Sequence, residues 1–241
     1  MIPRDGLSKK EEQGIEVEAE LLSKMKHPMI IGYYDHFKCE DSLAIVMLFA
    51  EGGTLENLIR DQQNDHFAEG TVLKYFTQIL HGLDYIHSLG IIHRDLKTAN
   101  ILLNKKKTII KLADFGISKQ LAKRSIASTL IGTTSYMSPE IIGGRPYTIK
   151  SDIWALGCVL YEMFMLLKVG FSIHKKTYVA YLFQNRYAPL GDHVSKESRD
   201  IVSKCLSDKQ DQRPTAKVIL TRPKILPYTL LATTDTGRIM G

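Results

Sequence analysis

The chain has 241 residues, hydrophobic residues make up 44% and charged residues 24%, and these globular values exclude a collagen, a coiled-coil rod, a disordered acidic tail and a disulfide miniprotein. Thirty-two Lys and Arg against 26 Asp and Glu leave a net charge of +6. That mild bias suits an anionic ligand and, with no basic cluster among aromatics, predicts no nucleic-acid partner. The three cysteines, Cys39, Cys158 and Cys205, lie far apart without metal-ligand spacing and predict a reducing, cytoplasmic setting. The start has no apolar signal core. The longest apolar stretch, 153–169, is broken by Glu162 and Lys168, which predicts a buried helix and no membrane span.

In chain order, residues 8–26 predict a helix, capped by Ser8 with Glu11 three residues on and carrying Ile15, Ala19, Leu22 and Met25 on one face. His27-Pro28 ends it. Two apolar runs, 30–37 and 42–49, flank the polar stretch 38–41 and predict a strand pair. Glu51-Gly52-Gly53 breaks the pattern, and Thr54 caps a new helical segment. A second long helix covers 69–89, with Val72, Phe76, Ile79, Leu80, Leu83 and Ile86 at helical spacing. Runs at 100–103 and 109–112 around Asn104 and Lys105 to Lys107 predict a hairpin with a solvated basic turn. The stretch 119–138 has no period and predicts a long loop, a feature that is commonly functional in a compact domain. Helices at 151–167 and 195–206 follow, and 227–241 reads as a loose tail. No internal repeat occurs.

One stretch carries chemistry: Ile91-Ile92-His93-Arg94-Asp95-Leu96-Lys97-Thr98-Ala99-Asn100, followed by Asp114-Phe115-Gly116 and then by Gly132-Thr133-Thr134-Ser135-Tyr136-Met137-Ser138-Pro139-Glu140. An Asp after a His-Arg pair is ordinarily a surface ion-pair partner, and a His beside an Ile-Ile pair is a packed core residue. Three motifs in this order and at these intervals, however, resemble the catalytic loop, the metal-binding loop and the end of the activation segment of the eukaryotic protein kinases. The resemblance runs from about residue 7 to about residue 222.

The resemblance implies an α+β, bilobal protein-kinase-like fold with an incomplete small β lobe (1–47), a hinge (48–53), a mainly helical large lobe (54–226) and a tail (227–241). It implies Asp95 as the group that accepts or orients the substrate hydroxyl proton, Lys97 as a phosphate contact, and Asn100 and Asp114 as Mg²⁺ ligands, with Thr133 helping to position Asp95. It implies Glu18, preferred over its neighbours Glu16 and Glu20, as the helix partner of a strand Lys, Met47 as the gatekeeper, Leu48 to Ala50 as the adenine-binding hinge, and Leu102 in the nucleotide site. Glu140 with Arg213, and Asp152, match structural supports. Lys97 two residues after Asp95 resembles the serine/threonine class, so ATP, Mg²⁺ and protein Ser or Thr residues are the implied ligands.

Within that class the runs Glu20 to Pro28, Tyr33 to Phe37, Tyr136 to Glu140 and Ser151 to Cys158 are similar to the NIMA-related kinases, which usually carry Pro-Tyr where this chain has Thr134-Ser135. Ser125, Ser128 and Thr129 are placed for regulatory phosphorylation, and a phosphate on Thr129 would pair with Arg94. Family analogy adds a cytoskeletal or nuclear association and a regulatory domain or partner outside the chain. No G-x-G-x-x-G occurs in the sequence. With Glu18 aligned, the strand Lys would fall ahead of Met1, so the sequence predicts a longer, N-terminally extended kinase. The alternative is a catalytically silent binding module, against which the retained Asp95, Asn100 and Asp114 argue.

Overall fold

The computed structural model describes residues 2–3, 20, 22–39, 42–62, 66–115, 134–166 and 189–237. Ile2–Pro3 (β1), Tyr33–Cys39 (β2) and Ser42–Met47 (β3) form an antiparallel sheet of order β1-β3-β2. β2 and β3 pair from Tyr33 opposite Met47 to Cys39 opposite Ser42, with an irregularity between Tyr33 and Asp35. The strand pair is as expected, but β2 starts three residues later than the apolar run does. Met29, Ile30 and Ile31 are buried and leave the sheet for a second hairpin: Leu112 N–H donates to Met29 O at 2.8 Å, and Ile31 N–H to Leu112 O at 2.9 Å. One apolar run thus serves two elements. The short pairing of β1 with β3 has no sequence signal. Residues 22–24 are helical, within the expected first helix.

Leu55–Asp61 (α1) begins at Thr54, whose Oγ1 accepts Asn57 N–H at 3.0 Å. Glu69–Ser88 (α2) buries Val72, Phe76, Ile79, Leu80, Leu83 and Ile86, the predicted face. Ile101–Leu103 (β4) and Ile110–Leu112 (β5) form the predicted hairpin, shorter than the runs suggested because 98–100 is a 3₁₀ turn. The hairpin is pinned to α2: Gln78 Nε2 donates to Thr108 O at 3.0 Å, and Ile110 N–H donates to Gln78 Oε1 at 2.9 Å. Gly82 permits that approach, since a Cβ there would meet Leu112 Cδ1 at 2.8 Å.

Pro139–Ile142 (α3) is a single turn. Ile149–Met165 (α4) starts at a capping box between Thr148 and Ser151 and is buried all round from Ser151 to Phe164, which makes it the axis of the helical body. Lys196–Cys205 (α5), capped by Ser195, packs beside it, and Ala216–Leu220 (α6), capped by Thr215, lies against α2. Residues 226–237 correct the expectation of a loose tail: Leu226–Gly237 is a helix (α7) on α2. Ile225 just ahead of it and Ala232 within it are buried, and Tyr228 packs on the core. That inward face, covered by α2, is what orders the segment. Among the described residues no helix is long and apolar enough to cross a membrane.

Candidate active site

The site is built outward from α4. Asp152, fully buried in its first turn, accepts the backbone N–H of His93 at 2.8 Å and of Arg94 at 3.0 Å, and meets His87 Nε2 of α2 at 2.9 Å. These bonds hold Arg94 in the left-handed region at φ 67°, where a residue with a Cβ is strained unless its surroundings fix it. His93 is fully buried and packs on Phe115 with ring centroids 4.8 Å apart. Burial pushes its imidazole below the usual range against the pull of Asp152 and Asp95, so it is a neutral packing residue, as the sequence suggested.

The turn delivers Asp95, which is buried, to a convergence of donors. Lys97 Nζ reaches Asp95 Oδ2 at 3.0 Å, and Asn100 Nδ2 donates to the same Oδ2 and to Asp95 O, each at 2.9 Å. Ala113 N–H donates to Asn100 O at 3.0 Å, which brings the following residue, Asp114, alongside. Asp114 is exposed and left-handed, at φ 53°. With its Nδ2 committed to Asp95, Asn100 has a carbonyl oxygen to offer a cation, and Asp114 offers a carboxylate; both are the hard oxygen donors that Mg²⁺ takes. Among the described residues no three His, Cys, Asp or Glu side chains gather as a metal site, so a cation here would draw its other ligands from water or phosphate, the usual magnesium arrangement.

In the segment after β3, Met47 is partly exposed and Leu48 N–H donates to Gly32 O at 2.7 Å. Ala50 O accepts Gly53 N–H at 3.4 Å, and Gly52 N–H donates to Leu103 O at 2.9 Å, which ties residues 50–53 to β4. Leu102, beside it on β4, bridges to Thr54. The structure therefore gathers Asp95, Lys97 and Asn100, brings Asp114 next to them through Ala113, and ties Leu48 to Gly32, Ala50 to Gly53 and Leu102 to Thr54. Glu18, Ser125, Ser128, Thr129 and Thr133 lie outside the described residues.

The supports match their expected places. Glu140 and Arg213 form a bidentate pair, Nη1 to Oε1 at 2.7 Å and Nη2 to Oε2 at 2.8 Å, with both side chains fully buried. The guanidinium also lies 4.9 Å from the Trp154 ring centre. Burial raises the Glu140 carboxyl, but Arg213 and Ser151 outweigh it and hold the group at about 2. Sequence reasoning passed over the Thr98–Tyr136–Glu162 chain: Tyr136 Oη lies 3.0 Å from Thr98 Oγ1 and donates to Glu162 Oε2 at 2.7 Å. Its signal was Glu162 itself, a lone carboxylate in an apolar helical run, which must find a partner when buried.

Comparison with known proteins agrees with this geometry. The family model for the protein kinase domain matches residues 1–225. Similar proteins include a serine/threonine-protein kinase, nekl-2, of Caenorhabditis elegans, 47% identical over 246 aligned positions that cover 99% of this chain and 69% of that protein. The serine/threonine-protein kinase Nek8 of Danio rerio is 39% identical, covering 99% of this chain and 34% of its own. The serine/threonine-protein kinase Nek4 of Mus musculus is 40% identical, covering 90% and 28%. The chain thus spans about a third or less of the length of the last two.

Proposed function

This chain belongs to the protein kinase domain family, on its NIMA-related serine/threonine branch, and from that membership we propose that Asp95, Lys97, Asn100 and Asp114 carry the transfer of the ATP γ-phosphoryl group to Ser or Thr hydroxyls of proteins. The observation that supports the assignment is the convergence of Lys97 Nζ and Asn100 Nδ2 on one oxygen of a buried Asp95. Asp95 takes the proton of the substrate hydroxyl as its oxygen bonds to the γ-phosphorus, the bond to the bridging oxygen of ADP breaks, and ADP leaves with the charge. Lys97, held beside Asp95, meets the transferring phosphoryl group with a positive charge. Asn100 and Asp114 supply oxygen ligands, and magnesium, when bound, neutralises the phosphate oxygens. Because the barrier is lowered by positioning and charge, the buried bonds that fix Asp95 matter as much as its basicity.

Residues 1–47 act as the small lobe, 54–226 as the large lobe and 48–53 as the hinge, whose Leu48 to Ala50 backbone, with Met47 and Leu102, borders the adenine. Glu18 and Thr133 take the positioning roles of the family, and Thr129, with Ser125 and Ser128, takes regulatory phosphate that pairs with Arg94. A cytoplasmic setting accords with the free, buried thiols of Cys158 and Cys205. The deciding experiment follows phosphate from ATP into a Ser/Thr peptide with wild type and Asp95→Asn. Wild type transfers phosphate and the variant loses about a thousandfold or more in kcat with little change in the KM for ATP; equal rates reject the assignment.

A further inference from the structure

The turn that follows helical residues 22–24 gathers basic side chains that the proposed chemistry does not use. His27 stacks on Tyr85 of α2 with ring centres 4.8 Å apart. Its Nδ1 accepts Met29 N–H at 3.2 Å, so Nε2 carries the ring proton and stands as a donor. Tyr85 Oη accepts Lys26 N–H at 3.0 Å and keeps its own proton to give. Lys111 of β5 reaches the same turn, spending one N–H on Pro28 O at 2.8 Å and holding two more. His81, one turn ahead of Tyr85 on α2, has a buried Nε2 with no hydrogen-bond partner among the described residues. His81 and Lys111 both act on His27 as neighbouring like charges, which makes the group one cluster.

We propose that His27, His81, Tyr85 and Lys111 form a binding site for a phosphate group, which docks where residues 26–28 meet α2 and β5. The cluster holds donors and positive charge without the opposite sign. None of the ion pairs among the described residues involves His27, His81 or Lys111. Asp84 of α2 acts on His81, but burial outweighs it. Glu20, on the preceding helical segment, is exposed and pairs with Lys24, and Lys26 adds a further exposed positive charge. Lys111 is partly buried, and an ammonium taken from water without a counter-charge is costly. A phosphate supplies that charge, and its oxygens accept from the Tyr85 hydroxyl and from His27 Nε2. Burial, with the like charges of His81 and Lys111, holds the His27 imidazole at about 4, and burial lowers His81 and Lys111 as well. A bound dianion works against each of those shifts, so binding takes up protons, and a proton taken up at His81 Nε2 makes it a donor too.

The test needs no turnover, so it stands or falls apart from the kinase reading. Sulfate is the probe, because its double charge does not change with pH. It is titrated into the full chain at constant ionic strength set with chloride, and the imidazole Cε1–H signals are followed by NMR. His27→Gln and His81→Gln identify the two rings. In wild type these two signals move together and saturably, with half-saturation in the millimolar range, while the other histidine signals stay. The affinity rises about tenfold from about pH 7.5 to about pH 5.5. Lys111→Met keeps the aliphatic stem but loses the saturable response, and His81→Gln weakens binding about tenfold as read at His27.

Signals that drift without saturating, an affinity unchanged by pH, or wild-type binding in whichever of Lys111→Met and His81→Gln folds, each overturn the site. Sulfate captured at Lys97 instead would leave both signals still, and that result also overturns it. A glycine peptide carrying a single phosphoserine, run beside its unphosphorylated copy at about pH 7.5, separates the two sources of phosphate. Binding tighter than that of sulfate assigns the site to a phosphorylated side chain, and weaker binding assigns it to the free anion; either upholds the site. Equal binding of the unphosphorylated copy overturns it.

Discussion

Residues 93–100 and residues 47–53 border the same proposed ATP site, yet buried side chains fix the first segment and backbone bonds fix the second. His93 and Arg94 hang by their N–H groups from Asp152, and Asn100 closes on Asp95. Along 47–53 the ties run from Leu48 N–H to Gly32 O and from Gly52 N–H to Leu103 O, while Met47 is 36% and Phe49 84% exposed. The contrast matches the chemistry proposed for each side. Proton transfer needs particular side-chain atoms held within tenths of an ångström, which buried, hydrogen-bonded groups such as Asp95 and Asn100 supply. A flat heterocycle can be recognised by backbone groups, whose geometry the chain supplies whatever the side chains are.

The sharpest way to break the contrast is at Asp152. Asp152→Ala strands two backbone N–H groups and the His87 ring nitrogen in the interior and frees Arg94 from its left-handed conformation. Each orphaned donor costs about 1–3 kcal/mol, so the fold should lose roughly 3–5 kcal/mol in denaturant unfolding. Asp152→Asn, which can accept at only one oxygen, should fall between wild type and Ala in both stability and kcat. If Asp152→Ala melts like wild type, the loop is held by something other than this carboxylate.

Much of this side was legible in sequence because its signals are local. Asp95, Lys97 and Asn100 sit within six residues, and their spacing carries the chemistry wherever the chain folds. Asp152 and the Glu140–Arg213 pair were placed by resemblance alone, and the structure brings each to its partner. What escaped were pairings between segments with no common pattern. Ile30 reads as strand because apolar runs look alike until tertiary contacts divide them, and β1 is too short for any period. Helix α7 is invisible until α2 is there to cover it. Glu162 declared itself buried by breaking an apolar helix, but nothing in the sequence pointed to Tyr136, 26 residues earlier.

Glu140 gives a second, smaller handle on the same side. The unfolded chain protonates this carboxyl near 4.5, whereas the folded chain resists until about 2. Its contribution is therefore complete above 4.5 and disappears as the pH falls through that interval, amounting to at most ~3 kcal/mol. Glu140→Gln should show less acid-induced loss between pH 4.5 and 2 than wild type, though it starts lower because Arg213 is left buried with a weaker partner. Parallel acid-unfolding curves for the two proteins would mean that the pair adds nothing to the pH dependence.

On the second side the prediction pits two neighbours against each other. At Gly52 a Cβ would meet Asn104 O at 2.1 Å and Leu103 O at 2.7 Å, both backbone atoms that cannot swing away. Gly52→Ala should therefore push β4 from the segment and cost about 1–3 kcal/mol. Phe49, three residues earlier and far larger, should cost less than about 0.5 kcal/mol on change to Ala, because its ring already stands in solvent. A segment fixed by backbone must show that inversion, the smallest residue mattering more than the largest. If Phe49→Ala proves the more damaging of the two in thermal melts, side-chain packing holds this side as well, and the difference between the two segments is one of degree.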